Sequence, residues 1–217
     1  MPYSVRGELC VETPCVTEGA AMADDTEAVE RVRALMKPDN RLVERVVTRN
    51  QIWQGKIFEV QTLDVEQPDG SHGYREIVLH HGGAGVCAVR DGKICLVRQY
   101  RVAMGRMSLE IPAGKLDPGE EPAVCAAREL REETGLEADS LEPLAVTAGA
   151  PGFNNEKTRI FVARGLHRGV ATPDEGEFVD VVWVPLRDML AAVRAGVIED
   201  AKTVVSVMAA CVEEGIR

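Results

Sequence analysis

The 217-residue chain carries 25 basic and 35 acidic residues, a formal charge of −10, with 45% hydrophobic and 28% charged residues. That length and mix fit one globular domain with a small appendage and exclude a disordered or collagen-like chain. The acidic balance argues against a general binder of nucleic acid or of an anionic membrane surface, since phosphate groups demand a basic face. No apolar run approaches the roughly 18 residues that a membrane span needs.

The start, MPYSVRGELC, lacks the apolar stretch of a secretory signal, and residues 1–21 read as a disordered leader. A short helix is predicted from Asp25 to Met36, with Val29, Val32 and Met36 on one face and Pro38 ending it. Strand patterns follow in RLVERVVTR, KIFEVQTLDVEQ and YREIVLHH, the last two joined by a Pro-Asp-Gly-Ser turn. GAGVCAV and KICLVRQYRVA then flank Arg90-Asp91-Gly92, a strong hairpin signal. Beyond LEIPAGKLDPGE a helix is predicted from Glu121 to Thr134, with Ala123, Ala126, Ala127 and Leu130 as its packing stripe and Gly135 as its stop. Strands resume at PLAVTAGA, TRIFVARGL and FVDVVWVPL, and helices close the chain over Leu186–Ala195 and Lys202–Glu213. Strands clustered around a few helices predict an α+β fold with a mixed sheet between helices.

Six cysteines, at 10, 15, 87, 95, 125 and 211, form no CxxC pair and have no histidine at zinc spacing. Four sit in apolar stretches, where cysteine acts as a small buried hydrophobe, so reduced thiols in a cytoplasmic protein are expected. His80 and His81 end a strand and read as structural or surface residues.

The chemistry is concentrated between Gly114 and Leu136. Glu129, Glu132 and Glu133, spaced i, i+3, i+4, share one helix face beside Arg128. Three carboxylates at that spacing repel one another, and the arrangement turns favourable when a divalent cation sits among them. Hard oxygen donors suit Mg2+ or Mn2+, and Mg2+ characteristically brings phosphate substrates. A solvated acidic face is the ordinary alternative for such a helix.

The Gly-Pro-rich loop and the helix together resemble the Nudix box at every fixed position: Gly114, Glu120, Arg128-Glu129-Leu130, Glu132-Glu133, Gly135 and Leu136. The resemblance implies a Nudix fold, a mixed β-sheet sandwiched between α-helices, with a small N-terminal antiparallel β-sheet domain. It also implies hydrolysis of a nucleoside diphosphate linked to another moiety. Carried over, Glu129 and Glu133 are the principal metal ligands, Glu132 is a further or water-mediated ligand, and Ala113 offers its carbonyl. Glu120 pairs with Arg128 and braces the loop.

Four further stretches resemble the ADP-ribose pyrophosphatase branch of that family. Pro151 lies sixteen residues after Gly135, and Arg101 in RQYRVAMG falls where the diphosphate is gripped. Glu177 matches a loop glutamate placed near the attacking water, with Glu175 and Asp174 as neighbours that substitute for it. Tyr74-Arg75-Glu76 resembles an adenine-contacting edge, and Phe58 or Trp53 supplies a stacking face, although either also reads as a core aromatic.

The implied protein is a cytoplasmic homodimer with Mg2+, or Mn2+, at its site. Its expected organisation is a leader and short helix over residues 1–40, a β domain over 41–81 serving dimerisation and adenine, and a catalytic domain over 82–217. The expected reaction is cleavage of ADP-ribose to AMP and ribose 5-phosphate, with Glu177, Glu133 and Glu132 as the catalytic group. Alternatives are another nucleoside diphosphate sugar, such as GDP-mannose or ADP-glucose, and a non-catalytic ADP-ribose sensor. RNA-end processing is disfavoured by the charge.

Overall fold

A computed structural model describes residues 18–170 and 178–217, with side chains from residue 25 onward. The helix α1 spans Glu18–Leu35 and therefore starts seven residues before the expected Asp25, taking in residues read as leader. Met36 falls just past its end, its N–H on the carbonyl of Arg33 at 3.1 Å. Val29, Val32 and Leu35 are exposed, so the expected apolar face is not buried within the chain. Ion pairs of Glu27 with Arg31 and of Glu30 with Arg33 lie along the helix surface.

Contacts divide the chain into a small unit, residues up to Arg45 with Glu66–His72, and a large unit, Val46–Val65 with Gly73–Arg217. The small unit includes the expected Pro-Asp-Gly-Ser turn. There Gln67 N–H bonds the Ser71 carbonyl, Asp69 accepts from the Ser71 amide, and Gly70 takes φ +81°. Arg45 and Glu66 also pair in this unit.

Three strands form one sheet in the order β1 (Arg45–Gln54), β2 (Phe58–Glu66), β3 (His72–His80). β2 and β3 overlie their expected segments, whereas β1 starts four residues after the expected Arg41 and runs on to Gln54; β1 is exposed along its whole length. Next come β4 (Gly83–Cys87), β5 (Val89–Arg90), β6 (Lys93–Arg101), β7 (Arg106–Glu110) and β8 (Ala113–Lys115). Asp91 and Gly92 turn the β5–β6 hairpin with φ +53° and +69°, both positive as a two-residue type I′ turn requires. The helix α2 (Pro122–Thr134) follows, ended by Gly135 in the left-handed region at φ +67°. The remaining elements are β9 (Leu136–Glu137), β10 (Ser140–Thr147), β11 (Thr158–Arg164), β12 (His167–Arg168), β13 (Asp180–Pro185), α3 (Leu186–Arg194) and α4 (Ala201–Glu213).

The central sheet runs β10-β11-β4-β8; β11 pairs parallel with β4 and the other neighbours are antiparallel, giving the expected mixed sheet. A second sheet joins β13, β6 and β5, with β7 also on β6. β4 is buried on both faces, so its alternation sorts side chains between two cores. Ala84, Val86 and Ala88 pack with Cys125, Ala126 and Leu130 of α2, whereas Cys87 packs with Leu186, Met189 and Val207 of α3 and α4. Cys87, Cys95, Cys125 and Cys211 are all buried free thiols, as expected; Cys10 and Cys15 lie outside the described residues. Burial pushes the thiols of Cys87, Cys95 and Cys125 up to about 12, which suits packing rather than nucleophilic roles.

The face of α2 differs from expectation. Its buried residues are Cys125, Ala126, Glu129, Leu130 and Glu133, while Ala123 and Ala127 are exposed. The packed stripe keeps Ala126 and Leu130 of the expected four, is rotated away from Ala123 and Ala127, and carries two of the three helix carboxylates inward. Leu130 is 1% exposed and Val124, on the outer side, 59%. Leu130→Ala should therefore lower stability by about 2–5 kcal/mol, and Val124→Ala by no more than about 0.5 kcal/mol, read from chemical denaturation midpoints. Equal effects would contradict this orientation of α2.

Candidate active site

A cavity of about 540 Å³ gathers the box residues: Ala113, Gly114, Arg128, Glu129, Glu132 and Glu133 all line it. Glu129 and Glu133 are 9% and 7% exposed, an unusual depth for carboxylates. Arg128 accounts for much of the order. Its Nε and Nη2 donate to the two oxygens of Glu120 at 3.0 Å each, and its Nη1 donates to Glu129 Oε1 at 2.7 Å and Glu132 Oε2 at 3.0 Å. The Ala113 amide donates to Glu133 Oε2 at 2.9 Å.

Glu120 acts as the expected brace. It accepts from Arg128 and from the Asp117 amide, and these bonds hold its carboxyl down at about 2. The Arg128 guanidinium is correspondingly pushed up, chiefly by Glu120.

The sheet beneath α2 makes room for the acids with glycine. A methyl group at Gly114 would lie 1.8 Å from Glu129 Oε1, so any side chain here would make this carboxylate move. Among the described residues, no three acidic, histidine or cysteine side chains converge into a ready-made metal cluster. Arg128 instead draws Glu129 and Glu132 to itself. The donor set nevertheless fits a hard divalent cation: carboxylate oxygens crowd one helix face, against backbone that carries no side chain.

Beside the cavity, held by two residues that line it, is a buried carboxylate that the sequence reading missed. Glu110, at the end of β7, is 4% exposed. Arg101 donates to it through Nε at 2.7 Å and Nη2 at 2.6 Å, and Lys202 Nζ donates at 2.6 Å. Burial alone would raise this carboxyl, but Arg101 and Lys202 outweigh it and hold the group at about 2. Arg101, expected to grip diphosphate, lines the cavity and has its own pKa raised, first by Glu110. Two local signals mark the missed pair. Glu110 interrupts the apolar stretch Leu109–Ile111, and Lys202 sits in the first turn of α4, where the helix dipole disfavours a cation.

Other expected site residues lie elsewhere. Pro151 is exposed and begins a turn in which the amides of Phe153 and Asn154 bond the Ala150 carbonyl. That turn docks on β3 through Val78 N–H to the Phe153 carbonyl and His80 N–H to Asn155 Oδ1. Tyr74, Arg75 and Glu76 do not line the cavity. Phe58 stacks obliquely on Trp53 at 5.1 Å and lines a separate cavity of about 240 Å³ with His80 and His81. His80, read as structural, also borders the main cavity; its Nδ1 accepts from the Gly82 amide at 2.9 Å and lies 3.7 Å from Glu156. Asp174, Glu175 and Glu177 lie outside the described residues.

The NUDIX domain family model matches residues 79–205, which span the cavity's box and cationic residues up to Lys202. The chain belongs to this family. It is 40% identical over 179 residues to an ADP-ribose pyrophosphatase of Bacillus subtilis, covering 81% of this chain and 97% of that protein. It is equally 40% identical over 177 residues to a methanol dehydrogenase activator of Bacillus methanolicus, covering 80% and 96%. Among solved structures, an ADP compounds hydrolase matches with a TM-score of 0.69 at 26% identity, covering 80% of this chain and 95% of that one.

Two outcomes check the geometry. Gly114→Ala should keep the circular dichroism spectrum and lose divalent-ion affinity, by about the 10–100-fold typical when a ligand's support is disturbed; unchanged calorimetric affinity would contradict the close approach. Glu110 and Glu120 have folded-state values near 2 against an ordinary 4.5. Their contribution is therefore complete above pH 4.5 and is lost as the pH falls toward 2. Acid denaturation of Glu110→Gln should show a shallower loss of stability across that window than the unsubstituted chain.

Proposed function

We propose that the chain hydrolyses the diphosphate bond of ADP-ribose to AMP and ribose 5-phosphate with Mg2+. The observation that carries this reading is a complete box whose carboxylates α2 turns into a cavity faced by Arg101. The likeness to an ADP-ribose pyrophosphatase over four-fifths of the chain supports the substrate. Glu129, Glu132 and Glu133, with the Ala113 carbonyl, would hold the cation, and Mn2+ suits the same oxygens. Bound there, such an ion would supply neutralising charge for phosphate oxygens and activation for a water.

The chain's own residues supply the frame for that step. Gly114 lets Glu129 approach the backbone, Glu120 fixes Arg128, and the Ala113 amide fixes Glu133. Arg101, half exposed and always charged, presents a guanidinium to the diphosphate. Water adds to one phosphorus, the bridging P–O bond breaks, and the bridging oxygen leaves on the other phosphate. We assign the water's proton to Glu177, with Glu175 and the box glutamates as the competing acceptors. We place adenine against Tyr74, Arg75, Glu76 and Phe58, with Pro151 shaping the loop opposite.

We also read the protein as a cytoplasmic homodimer. Four free buried thiols suit a reducing compartment. No helix among the described residues is long and apolar enough to cross a membrane. β1 leaves Val47, Ile52 and Trp53 exposed, apolar surface that a second copy of the 41–81 region would cover.

The purified chain with ADP-ribose and Mg2+ should release AMP, and a panel with GDP-mannose and ADP-glucose should rank ADP-ribose first by kcat/KM. Glu133→Gln should lower kcat by at least about 100-fold, since metal-borne charge stabilisation is worth several kcal/mol. Absence of AMP, or full turnover by that variant, would remove the assignment. A pH–rate profile of Glu177→Gln that keeps its acidic limb would move the proton to a box glutamate.

A further inference from the structure

Glu110, Arg101, Lys202, Asp200 and Thr203 form one continuous chain of contacts outside the box, and two of its members, Arg101 and Lys202, line the cavity. Its centre is the buried carboxylate of Glu110, which accepts two bonds from Arg101 and one from Lys202. A charge at that depth requires partners, and here it has two cations.

Lys202 is fixed from a second side as well. Its Nζ donates to Asp200 Oδ1 at 2.8 Å, and Asp200 Oδ2 accepts from the Thr203 amide at 3.0 Å and its hydroxyl at 2.6 Å, capping α4. The Thr203 hydroxyl, fully buried, accepts in turn from the Ile111 amide at 2.9 Å. The lysine is thus tied to the end of β7 and to the start of α4 at once. Its long side chain has lost the freedom that ordinarily weakens a lysine contact.

Donor capacity remains after these bonds. An ammonium has three N–H donors and a guanidinium five. Lys202 uses two and Arg101 two on the bonds given, so one and three stay available among the described residues. Both side chains line the same cavity as Glu129, Glu132 and Glu133, and the Arg101 charge is felt by Glu133. Lys202 and Arg101 also stand nearer solvent than Glu110: their side chains are 15% and 42% exposed against 5%. An anion entering the cavity meets the two cations before it meets the carboxylate that holds them.

The geometry points to Lys202 as a second substrate-contacting cation, clamping the diphosphate together with Arg101, and to Glu110 as the positioning residue that holds both prongs. This assignment rests on the diphosphatase reading for its substrate. A lysine placed only to neutralise Glu110 would need neither the Asp200 tether nor a place on the cavity wall.

Lys202→Met, Lys202→Arg and Glu110→Gln of the full chain, assayed with ADP-ribose and Mg2+ at several salt concentrations, test it. Lys202→Met should lower kcat/KM about 10- to 100-fold, the range of one charge-assisted hydrogen bond. It should also flatten the salt dependence of kcat/KM, since one phosphate contact is gone. Lys202→Arg should restore most of the rate and the salt slope, and Glu110→Gln should raise KM more than it lowers kcat. Unchanged kcat/KM in Lys202→Met would overturn the clamp, as would a loss that Lys202→Arg fails to restore and that follows the thermal midpoint alone. Calorimetric titration with inorganic pyrophosphate separates this result from failure of the ADP-ribose assignment, because it needs no turnover. Binding weakened tenfold or more in Lys202→Met supports the clamp whatever nucleotide is used; equal binding, or none to the unsubstituted chain, overturns it.

Discussion

The burial of carboxylates on the inner face of α2 is the constraint around which the site is organised. Glu129 and Glu133 sit where a helix packed on a sheet ordinarily places leucine or alanine. A charged group at that depth survives only if its loss of hydration is offset locally. Arg128 provides part of the offset, but it divides a single charge among Glu120, Glu129 and Glu132. These four residues alone carry two negative charges in excess. The excess is a standing demand for positive charge at one end of a defined cavity. Gly114 shows that the demand is built into the backbone, because only the absence of a side chain lets Glu129 lie against β8.

The second buried carboxylate solves the same problem differently. Glu110 is buried more deeply than either box glutamate, yet it has Arg101 and Lys202 to itself except for the tether to Asp200. Its charge is met by the chain's own cations, and both of those cations line the cavity. In one cavity, therefore, the box carboxylates suit a cation while Arg101 and Lys202 offer N–H donors to an anion. A diphosphate carried in with a divalent ion matches both sets together, whereas a neutral ligand or a bare nucleobase matches neither.

Much of this was legible in the sequence, for local reasons. Asp91-Gly92 and Gly135 specify their turn and cap through positive φ, which few other residues accept. The box spacing put the three glutamates on one side of α2. What spacing could not reveal was how far the buried side of α2 is turned: the assumption that apolar faces turn inward selected Ala126 and Leu130, which are buried, but also Ala123 and Ala127, which are exposed, in place of Glu129 and Glu133. The Glu110–Lys202 contact joins residues 92 apart, and only the closing of the second sheet against α4 brings them together. Pro151 and Tyr74-Arg75-Glu76 came from family likeness alone. In the single chain, Pro151 begins a turn docked on β3, and the Tyr74–Glu76 edge does not line the cavity.

The two arrangements also show how a structural carboxylate can be told from a functional one around the same pocket. Glu120 and Glu110 both have values pulled to about 2, so by titration alone they look alike and look important. Their partners separate them. Glu120 spends both oxygens on Arg128 and one of these also on the Asp117 amide, leaving it a brace for the loop that leads into α2. Glu110 spends its oxygens on Arg101 and Lys202, which line the cavity and have donors beyond those bonds. A strongly shifted group is thus a pointer to function only when the groups that shift it have donors left to offer. By that criterion the cationic pair belongs to the active site as fully as the box does, even though it lies outside the motif by which the family is recognised.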